Sequence, residues 1–420
     1  MAATDTATER LSILAVNAGS SSIRYALFDA VDPPARSIGG KLELEIMTRA
    51  NIKLASVTGP VTSPSSSGAE VNRSPAARFF DELEALPEFA SVKAVGHRVV
   101  HGMQHSAPEL VTPELMADLR RIIPFDPQHL PLEIGLMEII AERHPAMLQV
   151  ACFDTAFHRT MPRVASVVPI PRRYEAAGVR RYGFHGLSYE FLMQELARLG
   201  APSATRGRVI LAHLGNGASL AAIRDGKCID TSMGFTPASG LVMGTRSGDL
   251  DPGVISYLSR SDGMSIGEFE TMTNQASGLL GVSESSADMR ELLAHEAMDV
   301  RAAEAIALFC YQTRKWIGAF AAALGGLDTL VFAGGIGENL PTIRHRICEE
   351  LAYLGVALAE DQNAANSLRI SADEARVDVY VIATDEELVI AQSVMRSIAK
   401  GAPADRAHLA DQISTGRRAT

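Results

Sequence analysis

Cysteine is scarce in this sequence: Cys152, Cys228, Cys310 and Cys348 are the only four in 420 residues, and no two form a CxxC pair. That spacing argues against a zinc site or a disulfide scaffold and fits buried thiols in a reducing compartment. Positive charge is also short, with 39 Lys and Arg against 49 Asp and Glu, a net charge of −10. A general nucleic-acid binder or a basic membrane-surface protein is therefore not expected. Long apolar runs are missing too. The stretch Trp316–Leu327 is too short to span a bilayer, and the first ten residues, MAATDTATER, carry both charge signs and lack the pattern of an export signal. The expectation is a cytoplasmic protein with neither nucleic acid nor membrane as partner. No GxxxxGK[ST] element occurs, which excludes a P-loop enzyme.

What is present is ordinary for a globular chain: 47% hydrophobic and 21% charged residues, with 34 Gly and 20 Pro. The length predicts two domains. Aliphatic runs (SILAV, KAVGHRVV, LQVACFD, RVILAHL, TLVFAGG, VDVYVIA) alternate with helical periodicity, a mixed α/β pattern. One helix is predicted over Val300–Leu324, ended by Gly325-Gly326. A Ser/Pro/Gly-rich loop is expected at 56–75 and a loose tail at 401–420. A shift of 196 residues lays ILAVNAGSSSIRYALFD (13–29) over VILAHLGNGASLAAIRD (209–225) without a gap. Both copies read as strand, small-residue turn, strand. They are either two hairpins of similar composition or a duplicated domain, each half with a phosphate-gripping turn and the nucleotide in the cleft between.

Three loops have the composition to hold phosphate: NAGSSS (17–22), HLGNGAS (213–219) and GGIGEN (334–339). Their glycines let backbone N–H groups approach an anion, and GGIGEN lies between a strand and a helical pattern. Arg98 in VGHRVVHG and Arg246 in MGTRSGDLDP have two readings: structural ion pairs, or a guanidinium clamp on a transferring phosphoryl group. His185 in RYGFHGLSYE reads as a hydrogen-bonded core histidine or a catalyst. Asp154 follows a strongly apolar strand, where open α/β sheets place functional groups. Glu386 in TDEELVIA is a metal-facing carboxylate or part of a helix start, since Thr384 and Glu387 have the spacing of a capping box.

Taken in order, NAGSSS, GHRVVHG, FDTAFH, YGFHG, HLGNGAS, MGTRSGDLDP, Asp288-x-Arg290, GGIGEN and TDEELVIA resemble the acetokinase family. That family belongs to the superfamily of acetate and sugar kinases, heat-shock chaperone ATPases and actin. The resemblance runs from Ile13 to about Ser397. It implies two duplicated βββαβαβα domains of ribonuclease-H-like type with an interdomain nucleotide cleft. The first would span 1–156 plus 385–400. The second, 157–384, would bind nucleotide and form the interface of a homodimer, with 401–420 a tail. It further implies reversible, direct in-line phosphorylation of acetate, or another short-chain carboxylate, by ATP with Mg²⁺, or Mn²⁺ in its place. Asn17 and Glu386 would hold the metal. Arg98, Arg246, His185 and Asp154 would be catalytic, with Arg98, Val100, Phe184, Pro237 and His129 around the acid. Arg24, His213, Gly215, Asn216, Gly217, Asp288, Arg290, Gly334, Gly335, Gly337 and Asn339 would face the nucleotide.

Elementary chemistry agrees with such a set. A carboxylate acceptor is already ionised at neutral pH, so no catalytic base is needed; the difficulty is bringing two anions together. Three positions depart from the family pattern. Arg24 stands where Lys is usual, Asp385 where Asn is usual, and QHLPLE (128–133) where an apolar residue, His and Asn-Pro-Ala-Asn are usual. Gln128 thus replaces an apolar neighbour of the acid's alkyl group. A propionate-preferring kinase of the same family is the near alternative. An actin- or chaperone-like ATPase is the distant one, and it leaves Arg98, Arg246 and the apolar residues without a role.

Overall fold

SILAVNA forms β1 (Ser12–Ala18), and every residue of it is buried. A strand covered on both faces needs a continuous apolar run rather than alternation, which is what this segment supplies. The computed structural model describes residues 11–19, 22–43 and 74–401. The expected loop at 56–75, as far as residue 73, lies outside the described residues, as do Ser20 and Ser21 of NAGSSS and the tail from residue 402.

Two sheets organise the chain. The first contains β1, β2 (Ser22–Asp29), β3 (Ala35–Glu43), β4 (Val92–Val99), β5 (Glu109–Leu110) and β6 (Leu148–Phe153) in the order β3-β2-β1-β4-β6-β5. Within it β1, β2 and β3 form an antiparallel meander, while β4 and β6 run parallel to β1. The second contains β7 (Arg208–Leu214), β8 (Ala218–Arg224), β9 (Lys227–Thr231), β10 (Thr329–Ala333) and β11 (Asp378–Val381) in the order β11-β10-β7-β8-β9. Here too a meander, β7-β8-β9, is extended by two parallel strands. The shift of 196 residues carries β1 onto β7 and β2 onto β8, which hold the same places in their sheets. The duplication is one of topology as well as sequence.

Contacts divide the described residues into two compact units, one comprising those up to Ala156 together with those from Asp385, the other Phe157–Thr384. In the first, the final helix, Glu386–Gly401, packs against β1, β4 and β6. Gly96 makes this approach possible: a Cβ there would lie 2.3 Å from Ile390 Cγ2 and 2.7 Å from Val394 Cγ2. A further core cluster of this unit joins Val99, Leu130, Ile134, Met137 and Phe153 beneath the ends of β4 and β6. In the second unit, the predicted long helix spans Val300–Leu324, capped by Asp299 and terminated by Gly325 at φ 72. It buries Ile306, Phe309, Ile317, Phe320 and Leu324. All four cysteines are buried, and none is in a disulfide. Among the described residues no helix is long and apolar enough to cross a membrane.

Candidate active site

In the first unit, the polar side chains gather where three neighbouring parallel strands end. Asn17 and Arg98 each lie one residue before the end of their strands, β1 and β4, and Asp154 follows β6 directly. Open α/β sheets bind ligands at this carboxyl edge. Arg98 Nε and Nη2 donate to Asp154 Oδ2 at 3.0 and 2.5 Å, and Nη1 donates to Asn17 Oδ1 at 3.3 Å and the Ala18 carbonyl at 3.1 Å. Burial opposes the guanidinium's charge, but Asp154 and Glu386 outweigh it and raise its pKa. Asp154 is fully buried, and its Oδ1 has no hydrogen-bond partner.

The final helix brings its first turn to the same edge. Asn17 Nδ2 donates to Glu386 Oε2 at 2.8 Å and to Glu387 Oε1 at 2.9 Å. Burial raises the Glu386 pKa, Arg98 pulls it back, and Asp154 and Glu387 push it up again. The expected Thr384–Glu387 capping box does not form. Asp385 Oδ1 caps the helix by accepting from Leu388 N at 2.9 Å, while Thr384 Oγ1 meets Ser188 Oγ at 2.9 Å within the second unit. Asp385 also pairs with Arg36 at 2.5 Å, so the charge that replaces an amide here has a partner. No group of three His, Cys, Asp or Glu side chains able to hold a metal occurs among the described residues. The oxygen set that is present, the Asn17 amide, Glu386 and the orphaned Asp154 Oδ1, nonetheless suits a hard divalent cation that keeps several waters.

The remaining first-unit residues are less uniform. Val100 is buried just past β4, and its N–H donates to both oxygens of Glu133. His129 is buried with Nδ1 2.7 Å from Asp126 Oδ1, and so is engaged within its own loop. Gln128 is exposed in the turn before the Leu130–Arg143 helix. Arg24 is exposed and lies opposite Asn17 in the β1–β2 ladder.

The second unit assembles glycine loops around His185 and Arg246. His185 takes a left-handed conformation, φ 59, at the start of the Gly186–Arg198 helix. Its Nδ1 is 2.8 Å from Ser219 Oγ, which is 2.5 Å from the Tyr189 hydroxyl, and its ring stacks on His213 with centroids 4.3 Å apart. Gly217 has no side chain to obstruct them: a Cβ there would stand 3.3 Å from His185 Nε2 and 3.7 Å from Arg246 Nη1. Arg246 Nη1 donates to the Pro237 carbonyl at 3.2 Å. Asn216 is exposed at the tip of the β7–β8 turn, where Gly215 N donates to the Gly217 carbonyl at 3.0 Å.

GGIGEN closes on this turn. A Cβ on Gly215 would come within 3.7 Å of Gly335 N, and one on Gly334 within 2.7 Å of the Leu214 carbonyl oxygen. Gly334 also has φ +75, so the loop requires glycine there. Its N–H donates to Glu338 Oε1 at 2.8 Å, Gly337 is buried, and Asn339 Nδ2 donates to the Gly335 carbonyl at 3.0 Å. Asp288 caps the Met289–His295 helix and pairs with Arg290 at 2.5 Å. Phe184 is buried, with its carbonyl 2.9 Å from His158 Nε2.

Sequence reasoning missed Glu387, Glu133, Ser219, Tyr189 and Glu338. Glu387 was within reach, since it adjoins Glu386. The others become visible only when distant segments are folded together.

A sequence profile described as the acetokinase family matches residues 12–392. The chain is 44% identical over 392 residues to the acetate kinase of Rhodopseudomonas palustris, covering 91% of this chain and 98% of that protein. Among solved structures it resembles a propionate kinase from Francisella tularensis, with TM-score 0.84 and 37% identity over 91% of this chain and 98% of the other. It also resembles Porphyromonas gingivalis acetate kinase, with TM-score 0.79 and 34% identity over 92% of this chain and all of the other.

Proposed function

This chain belongs to the acetokinase family, and on that footing we propose that it is an acetate kinase, reversibly moving the γ-phosphoryl group of ATP to the carboxylate of acetate. The observation that carries the residue assignment is the Arg98 guanidinium, pinned to Asp154 and Asn17 at the carboxyl ends of adjacent strands. An arginine so fixed offers a planar, permanently charged fork for a carboxylate. Asp154 orients it, and Val100, two residues beyond Arg98, supplies apolar surface for the acid's alkyl group.

The nucleotide is assigned to the second unit. Backbone N–H groups of Gly217 and Gly335 receive its phosphates, and Asp288 and Arg290 serve the adenosine. Arg246 and His185 face the moving phosphoryl. Ser219 and Tyr189 fix the ring of His185, so that Nε2 stays turned towards Gly217. No residue needs to remove a proton from the acceptor. The positive groups offset the repulsion between carboxylate and phosphoryl and the charge that develops on the equatorial oxygens. Asn17 and Glu386 are the residues assigned to Mg²⁺, or to Mn²⁺ in its place. When bound, the ion neutralises phosphate charge during transfer.

The reading extends to a cytoplasmic homodimer. Buried thiols outside any disulfide support the compartment. Val164, Ile266 and Tyr257, exposed at 85, 77 and 63%, support an interface formed by the second unit, to be checked by light scattering. The activity is tested by hydroxamate trapping of acyl phosphate with ATP, Mg²⁺ and acetate, propionate or butyrate. Acetate is expected to be used best, propionate measurably and butyrate poorly. Higher kcat/KM for propionate would make this a propionate kinase. ADP release without any acid and without hydroxamate would favour an actin- or chaperone-like ATPase.

A further inference from the structure

β4 is bonded on both sides only as far as its end: β1 partners it up to His97 and β6 up to Val99. The next amide, that of Val100, has no strand to meet, and its residue is 2% exposed. A buried N–H without an acceptor is costly, so the chain must supply one. It does so with a side chain. Val100 N donates to Glu133 Oε1 at 3.1 Å and Oε2 at 3.2 Å. Glu133 belongs to the first turn of the Leu130–Arg143 helix, where an acid ordinarily sits in water beside the helix's own amides. Here it is 1% exposed.

The neighbourhood is charged on several sides. Asp126, bonded to His129 through Oδ1, has a buried and unpartnered Oδ2. Asp126, Asp154 and Arg98 all act on Glu133 electrostatically, and Glu133 acts in turn on Arg98. Burial first, and then Asp126, raise the Glu133 pKa well above its ordinary value. An uncharged carboxyl can still accept the Val100 N–H, and an amide of the same shape would do so equally.

We propose that Glu133 is a positioning residue for the organic acid: by accepting the Val100 N–H where β4 leaves the sheet, it fixes the backbone that carries Arg98 and Val100. The proposal rests on the reading that these two residues serve the acid. It assigns Glu133 no contact with substrate.

The test compares Glu133→Gln with Glu133→Leu in the full chain, using acetate, ATP and Mg²⁺. The Gln variant is expected to keep its KM for acetate within about twofold of the parent, because its amide oxygen replaces the acceptor. The Leu variant should raise that KM about tenfold while leaving the KM for ATP within about twofold. Hydrogen–deuterium exchange of the peptide containing Val100 should be faster in the Leu variant and unchanged in the Gln variant. A folded Leu variant with unchanged KM for acetate would overturn the proposal. So would a Gln variant as impaired as Leu, or a fall of kcat and rise of both KM values in step with a lower melting temperature. If the Leu variant does not fold, Glu133→Asp, one methylene shorter, is judged by the same criteria. A parent protein that phosphorylates no acid defeats the functional reading instead. The Val100 exchange then still decides whether Glu133 holds this backbone.

Discussion

The carboxyl ends of β1 and β7 hold equivalent places in two sheets of like order, yet the residues gathered there present opposite kinds of chemistry. The first unit shows side chains: Asn17 bonded to Glu386 and Glu387, with Arg98 and Asp154 on the next strands. The second shows backbone: Gly215, Gly217 and Gly334 come together because they lack side chains, with the amides of Gly215 and Gly334 bonded to the Gly217 carbonyl and to Glu338. Topology fixes where a functional group can stand; residue choice fixes whether a site offers carboxylates and a guanidinium or N–H groups.

The largest effects should come from the two arginines, one in each unit. Arg98→Ala and Arg246→Ala should each lower kcat by about 10²–10³. They should differ in what else they damage. Arg98→Ala leaves Asp154, fully buried, without its partner and should also lower the melting temperature, whereas Arg246→Ala should not. Added guanidine should partly restore Arg246→Ala. A folded Arg246→Ala protein with near-normal kcat would remove it from the reaction.

The turns themselves can be set against each other next. Gly334→Ala places a methyl group 2.7 Å from the Leu214 oxygen at a positive φ, and should raise the KM for ATP about tenfold or more. Gly19→Ala meets Ser22 O at 3.5 Å and Arg98 Nη1 at 4.0 Å, ordinary contacts, and should change that KM by about twofold or less. Equal effects would mean that both turns grip the nucleotide through their backbones.

A smaller effect concerns charge buried in the first unit. Because the folded-state pKa of Glu133 is raised above 4.5, its contribution to stability is full below that value and is lost as pH rises through the folded pKa. Glu133→Gln cannot ionise, so it should melt about 2–4 °C above the parent near neutral pH, with the gain vanishing towards pH 4.5. Melting curves that stay parallel across this range would show that the carboxyl is not held neutral between Asp126 and Arg98. Smallest of all should be Gln128→Leu. Its exposed turn position predicts a change in acetate-over-propionate preference of about twofold or less, read from kcat/KM for the two acids.

The sequence was most legible where local pattern and final place coincide. The strand–turn–strand repeat could be read because β1 and β7 each consist of a continuous apolar run ending in a small-residue turn. The helix Val300–Leu324 could be read because its apolar spacing and its terminal glycine are both local signals. Pairings could not. Arg98 and Asp154 are 56 residues apart, and nothing near either indicates the other. Glu133 looks in the sequence like an exposed acid at a helix start, and only the packing of that helix under β4 buries it. Thr384 has the right spacing for a cap but is drawn away by Ser188 and Glu338, leaving the task to Asp385.

Gly96 carries one consequence for how the protein is made. The face of β4 cleared by that glycine is filled by Ile390 and Val394, among the last described residues of the chain. A ribosome delivers β1 before the second unit and the helix that covers it only after the whole second unit has emerged. The second unit can complete its core during synthesis, while the first waits with an apolar sheet surface uncovered. The unit that contributes the earlier strands is therefore the one that finishes folding later, with the longer exposure to chaperones and to aggregation.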